Sequence, residues 1–455
     1  MKFPPLLFPL AVLALPFPAP AGAPSPRGPV ASTWEQAYDR MRPWSGTHVA
    51  GSDPAAFQGK VLCGYQAWFS APGDGSDDAA GHEHPGHGWV HYGDGVFRPG
   101  VCNIDRWPDM SGAGNDERYP TDFHFSDGSD ATVFSSYNPK TVNRHFAWMA
   151  QYGIDGVFLQ RFGSDLRTPG TYDFCDAALE NVRNAANANG RTWAVMYDLS
   201  GLSSGEITSV IEKDWKNLVD RMGVGRDPAY QKEHGKPLVA VWGVGFADGR
   251  RGYSIKDCEA LVDFLKNDPR YGGNSIMLGV PYGWREGIRD ATPDPSLRAL
   301  IAKADIVSPW SVTRYNSRAN FMRDVPEYQA GDLAWCRAHH LDYLPVIFPG
   351  FSWTNLQKTR GRDASANQID REGGRFFWTQ GEQIARLGAP SIYVAMFDEL
   401  DEGTAILKCA ASPPIGESKF QSEPGVPSDQ YLWLAGEIGR ALRHKIPCSE
   451  AQPQR

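Results

Sequence analysis

The feature that most restricts this chain is an eightfold alternation of short apolar runs with longer amphipathic stretches. The runs are VLCGYQAWF from Val61, GVFLQRF from Gly156, TWAVMYDL from Thr192, PLVAVWGV from Pro237, SIMLGVPY from Ser275, ADIVSPWSV from Ala304, DYLPVIFPGFS from Asp342 and SIYVAMFDE from Ser391. Continuously apolar runs of this length are the mark of strands covered on both faces. Helix-like segments fill the intervals at 141–152, 172–189, 205–222, 254–268, 294–303, 326–340 and 371–387, and a last one follows at 428–444. Such repetition predicts a parallel sheet wrapped by helices. Eight repeats predict an α/β protein, a (β/α)8 TIM barrel with a long first βα loop, and an open doubly wound sheet is the alternative. A barrel places its chemistry at the C-terminal strand ends and its stabilising residues ahead of the strands. Asp155, ahead of the second strand, is therefore expected to be structural.

At 455 residues the chain exceeds the usual single-domain length, but barrels with insertions reach this size as one unit. The expected division is a signal peptide at 1–21, a linker and lead-in segment at 22–58 and one catalytic barrel at 59–448. The signal reading rests on Lys2, an apolar core at 6–15 and the small-residue pattern Ala19-Pro20-Ala21. Shortness, with Pro9 and Pro16, favours a cleaved signal over a spanning helix, so a secreted or periplasmic protein is expected. A net charge of -8 without a basic run argues against nucleic acid and membrane surfaces as partners. A carbohydrate substrate and a monomer are expected. The seven cysteines show no CxxC spacing, which disfavours zinc; Cys409 and Cys448 bracket the last segment and are the candidate disulfide, although spacing does not fix connectivity.

Residues 70–140, after the first strand, are rich in Gly, Pro, Asp and aromatics and far exceed the ordinary βα loop of about 2–6 residues. A connection of that length on the catalytic face is expected to form a substrate wall or lid. Residues 411–427 are expected to be a surface loop. Within the first loop, HEHPGHGWVH holds His82, Glu83, His84, His87 and His91, but its spacing matches no closed tetrahedral pattern. No metal and no cofactor are assigned. His124 and His145 are expected to be structural.

The barrel gathers Tyr65, Gln66, Trp68, Gln160, Arg161, Tyr197, Asp198, Trp242, Tyr282, Trp284, Trp310, Phe351 and Trp353 at the strand ends. That composition suits a sugar, whose C–H face lies on flat aromatic rings while amides, guanidinium and carboxylates bond its hydroxyls. The alternative is that the 15 tryptophans fill the core of a large barrel. Arg161 is expected to pair with the acidic cluster or a substrate group, and Asp198 to bind hydroxyls or cap its turn.

That cluster is Asp398, Glu399, Asp401 and Glu402, four carboxylates within five residues at the end of the last apolar run. Like charges so close need a substrate, cation or shared proton to offset their repulsion. Glu399 and Glu402, three apart, point the same way if the chain turns helically, and can then match the ~5–5.5 Å separation of retaining glycosidases. One carboxyl stays protonated as the acid while the other remains ionised. Asp398 and Asp401 are assigned to substrate binding. The alternative is a helix N-terminus with Asp398 or Asp401 as cap.

MFDELDEGTAI resembles the glycoside hydrolase family 71/99-like proteins of bacteria, often labelled xylosidase/arabinosidase, and more distantly the family 99 endo-α-mannosidases, whose motif reads roughly FNEWHEGT. GYQAWF and HFAWMAQYGIDGVFLQRF resemble the same group, and the likeness covers most of 59–409. It implies a (β/α)8 barrel and a retaining glycosidase without metal. Glu399 would be the base that deprotonates the substrate 2-hydroxyl, giving a 1,2-anhydro sugar, and Glu402 the general acid and then base. Asp398, Leu400 and Asp401 replace Asn, Trp and His of the motif, so the pocket is more acidic and lacks an aromatic wall. These departures argue against mannoside specificity and against the 2-hydroxyl mechanism, and double displacement through a carboxylate nucleophile stays open. The expected function is an exported, retaining, endo-acting glycoside hydrolase. The alternatives are a non-catalytic carbohydrate-binding barrel and a metal-dependent hydrolase using the loop histidines.

Overall fold

Each apolar run contains a strand: β1 Val61–Tyr65, β2 Gly156–Phe162, β3 Thr192–Asp198, β4 Lys236–Trp242, β5 Ser275–Pro281, β6 Ile306–Trp310, β7 in two pieces, Asp342–Tyr343 and Val346–Ile347, and β8 Ile392–Val394. The computed structural model describes residues 27–76, 88–249 and 251–455. The expected signal peptide and His82, Glu83, His84 and His87 lie outside the described residues. Among the described residues, no helix is long and apolar enough to cross a membrane.

Strands β1 to β6 pair in sequence, all parallel. Closure depends on β7. Its first piece pairs with β6 and its second with β8, which pairs in turn with β1. The change of partner falls at Leu344 and Pro345, where Leu344 N–H donates to Val307 at 2.9 Å and the Pro345 carbonyl accepts from Tyr393 at 3.0 Å. Proline has no N–H to give to β6, so its position suits the crossover. The ring is closed, and the fold is the TIM barrel rather than the open sheet.

Helices at Pro139–Tyr152, Pro169–Asn189, 204–222, Ile255–Asn267, Ser296–Ile301, 318–338, Arg375–Leu387 and Gln430–Leu442 cover the outside. Asn138, Thr168 and Ser254 cap three of their N-termini with side-chain oxygens, which answers backbone donors that have no helical partner. Asp155 works at the base of the barrel: its carboxylate accepts Val61 N–H at 2.9 Å and Arg443 Nη1 at 3.0 Å.

In β1, a Cβ on Gly64 would lie 2.1 Å from the Tyr393 hydroxyl and 2.2 Å from Met396 Cε. The side chains of the β8 region occupy that space. Gly64→Ala is therefore expected to destabilise the protein by about 1–3 kcal/mol, read as a lower urea midpoint at an unchanged slope.

The long first connection forms a packed wall. It carries an antiparallel hairpin, Tyr119–His124 with Asp130–Val133, and buries Tyr92, Phe97, Trp107, Phe123 and Phe134. It docks on the chain beyond β8 through Asp105 N–H to the Leu400 carbonyl at 3.0 Å and Asp109 N–H to Lys408 at 2.9 Å. Residues 411–427, expected to be a plain surface loop, share this packing: Gln421 N–H donates to Asp105 at 2.8 Å and Glu423 pairs with buried Arg106 at 2.6 Å. The candidate disulfide is likewise corrected. All seven cysteines are free, and the last helix is held instead by packing, with Ile438 against Gly381.

Candidate active site

Beyond β8 the chain does not enter a helix. Residues 397–407 fold back on themselves, with Leu407 N–H on the Phe397 carbonyl at 2.9 Å and Ala405 N–H on Glu399 at 3.0 Å. The next helix starts only at Gln430, so the alternative of a dipole-driven helix start with an aspartate cap falls away. Gly403, at φ 62°, lets the turn close where a Cβ would meet the Ser352 carbonyl at 2.9 Å. Buried Arg371 donates to the Gly403 and Ala405 carbonyls, each at 2.7 Å. The four carboxylates thus sit on a clamped turn.

They have different settings. Asp398 is wholly buried and accepts the N–H groups of Gln66 at 2.8 Å and Ala67 at 2.9 Å, which holds Ala67 in the left-handed region at φ 54°. Both its oxygens are taken by backbone, so it shapes the site instead of facing a ligand; this corrects its assignment to substrate binding. Glu399 accepts Gln66 Nε2 at 2.7 Å on one oxygen and the Thr404 hydroxyl on the other. The partly exposed Glu402 carboxylate has no hydrogen-bond partner among the described residues. Asp401 bonds His91 Nδ1 at 3.2 Å through Oδ2, while its buried Oδ1 has no partner among the described residues.

Burial, together with the neighbouring carboxylates, pushes all the shifted acids upward. Asp398 rises to about 7, chiefly by burial. Glu402 rises to about 7 through burial and then the charge of Asp401, and the more deeply buried Glu399 is raised well above its ordinary value by burial and then by Glu402. Two donors on Glu399 favour its ionised form, whereas Glu402 has none.

Five strand-end residues are turned away from the barrel mouth. Arg161 is completely buried and donates to Asp214 at 2.6 and 3.0 Å and to Asp176 at 2.9 Å, both on the outer helices, instead of reaching the acidic turn. The Tyr197 hydroxyl joins the same group on Asp214 at 2.7 Å. Tyr65 meets His145 Nδ1 at 2.7 Å, Tyr282 stacks on Tyr328 at 4.7 Å, and Trp284 Nε1 donates to Asp332 at 3.1 Å. Alternate residues of a strand face opposite sides of the sheet, so these side chains point to the helices. Their assignment to substrate binding is corrected.

Their alternates remain at the mouth. Gln66 and Gln160 are nearly buried; Gln66 Oε1 has no partner among the described residues, and the Gln160 amide lies against Tyr393. Asp198 accepts Ser200 N–H at 2.7 Å and is raised to about 6 by burial. Half-buried Trp68 stacks flat on His91, with centroids 3.6 Å apart and planes 8° apart, and also lies on Phe162 at 5.2 Å. Trp242 packs against Phe246 at 4.8 Å and edge-on to Trp310 at 5.4 Å, with the Arg251 guanidinium 5.3 Å over its ring. Trp353, edge-on to buried Phe351 at 5.1 Å, is placed by Asp105, which accepts the N–H groups of Thr354 and Asn355, each at 2.8 Å.

Sequence reasoning missed His91, Thr404, Arg251 and Arg371. Thr404 was within reach, because it closes the DEGT string; the others depend on contacts between distant loops. Among the described residues, the grouping with metal-ligand spacing is Glu233, His234 and Asp342, within 4.8 Å of one another. It lies ahead of β4 and at the start of β7, at the opposite end of the barrel from the carboxylates.

No protein-family model and no curated protein sequence matches the chain. Solved structures of glycoside hydrolases do. The chain is similar to the GH99 endo-α-mannosidase from Bacteroides thetaiotaomicron, at 16% identity and TM-score 0.56 over 86% of this chain and 99% of that one. A second structure of that enzyme, in complex with bis-tris propane, gives 15% identity and TM-score 0.58 over the same shares. What is shared at such identity is the (β/α)8 fold.

Proposed function

We propose that this protein is an exported glycoside hydrolase, retaining and endo-acting on a poly- or oligosaccharide, with Glu402 as acid/base and Glu399 as its carboxyl partner. The observation that carries the reading is the unequal setting of the two glutamates on one clamped turn. Glu402 delivers its proton to the leaving glycosidic oxygen and then takes one from water. Glu399, fixed by Gln66 and Thr404, supplies negative charge beside an oxocarbenium-like transition state. Trp310 and Trp353 offer stacking faces for sugar rings beside Trp68 and Trp242, and the number of aromatics favours several sugar positions. The GH99 neighbour, named as an endo-α-mannosidase, supports the same reaction class. Export rests on the N-terminal pattern.

The test is incubation with mannans, xylans, arabinans, α-glucans and amino-sugar polymers, followed by analysis of released oligosaccharides. Because Glu402 must hold a proton to act, and its carboxyl is raised to about 7, kcat/KM should fall as the pH rises through about 7. A rate still climbing at pH 8 removes Glu402 as the acid. Binding without release on every glycan identifies a non-catalytic barrel.

A further inference from the structure

Asp401 holds a position that the glycosidase reading leaves unused. It is 4% exposed, and His91, itself fixed flat on Trp68, engages only its Oδ2. Oδ1 faces no donor. At the end of β1, Gln66, 6% exposed, leaves Oε1 without a donor among the described residues. Gln66 has its NH2 group committed to Glu399, so its free atom is an acceptor. Unpaired buried acceptors carry a desolvation penalty that a ligand donor removes.

The charge balance points the same way. Asp398, Glu399 and Glu402 share the turn with Asp401, and Asp165 and Asp198 lie beyond β2 and at the end of β3. Of the nearby cations among the described residues, Arg251 is engaged by Asp248 and Ser200, Arg371 donates to the Gly403 and Ala405 carbonyls, and Arg360 is exposed. We infer that the sugar bound beside Asp401 carries a free ammonium group, and hence that the substrate is a glycan of de-N-acetylated amino sugars.

This rests on the glycosidase reading for the bond cleaved, but not for the group recognised. An ammonium group offers three donors and no acceptor, and it supplies the missing positive charge. An N-acetyl group would set its carbonyl against acceptors and bring no charge. A uronate or sulfate would add a further anion to an acidic basin. The unpartnered indole N–H groups of Trp68 and Trp242 remain for ring hydroxyls. Burial raises Asp398, Glu399 and Glu402, so a bound cation should release protons from this group; among the described residues, His91, Arg360 and Arg371 are other titratable or charged groups facing the turn.

The test is calorimetry on the Glu402→Gln protein with glucosamine and galactosamine oligomers, α- and β-linked, each beside its fully N-acetylated form. At least one aminated oligomer should bind about 30-fold more tightly than its acetylated form, the scale of a hydrogen bond to a charged group. Asp401→Asn should reduce that ratio to about 3 or less. Independently of that variant, aminated ligands should release protons on binding between pH 6 and 7. Equal or better binding of acetylated or neutral oligomers, no binding of any aminated one, or a preference that survives Asp401→Asn overturns the inference. Aminated oligomers bound but left intact by the unmutated protein would instead remove the glycosidase reading and leave this one standing. Cleavage of a neutral glycan with no affinity for amines does the reverse.

Discussion

Glu402→Gln lowers glycan hydrolysis by about 10³-fold or more, because the leaving oxygen loses its proton donor, and Glu399→Gln is expected to do the same by removing the charge opposite. Initial rates on a cleaved oligosaccharide measure both. A variant at either position with undiminished turnover excludes that residue from the reaction. The same substitution has a signature in stability. Glu402 titrates near 7 in the folded protein, above its ordinary value of 4.5. The stability gained by holding that proton is complete below about pH 4.5 and is lost as the pH rises through 7. Glutamine never ionises, so the melting temperature of Glu402→Gln should match the unmutated protein at pH 4.5 and exceed it at pH 8. Coincident curves at both pH values would show that Glu402 titrates normally.

Arg161→Ala tests the opposite kind of role. Asp176 and Asp214 are as buried as Arg161, and removing the guanidinium leaves both without their cation. Breaking a buried pair in this way costs about 3–5 kcal/mol, enough to leave little folded protein in a marginally stable domain. Chemical denaturation measures the loss, and Arg161→Lys, which keeps the charge but not the forked geometry, should recover part of it. The folded fraction should keep its KM for a cleaved glycan. A raised KM with unchanged stability would return Arg161 to the substrate site.

The contrast between Glu402 and Arg161 shows how far the residues could be read unaided. Both belong to strand ends, and both are charged groups beside apolar runs. The strand runs, their order and the helix positions between them were legible because hydrophobic periodicity is local. The acidic string was legible because four carboxylates in five residues need a shared cause. The facing of single side chains was not. In a barrel whose strands are covered on both sides, the lumen-facing and helix-facing residues are equally apolar in their surroundings. Nothing local distinguishes Gln160 from Arg161, or Asp198 from Tyr197.

By itself the sequence determined the eightfold architecture and the gathering of four carboxylates after its last strand, since spacing and residue type decide both. Only the tertiary structure decided that the acids ride on a closed turn instead of a helix start. It also decided that Asp398 is consumed by the end of β1, that Arg371 and the first loop hold the turn, and that His91 reaches Asp401. Those outcomes depend on hydrogen bonds between segments up to some 330 residues apart, and proximity of that kind exists only after the barrel has closed.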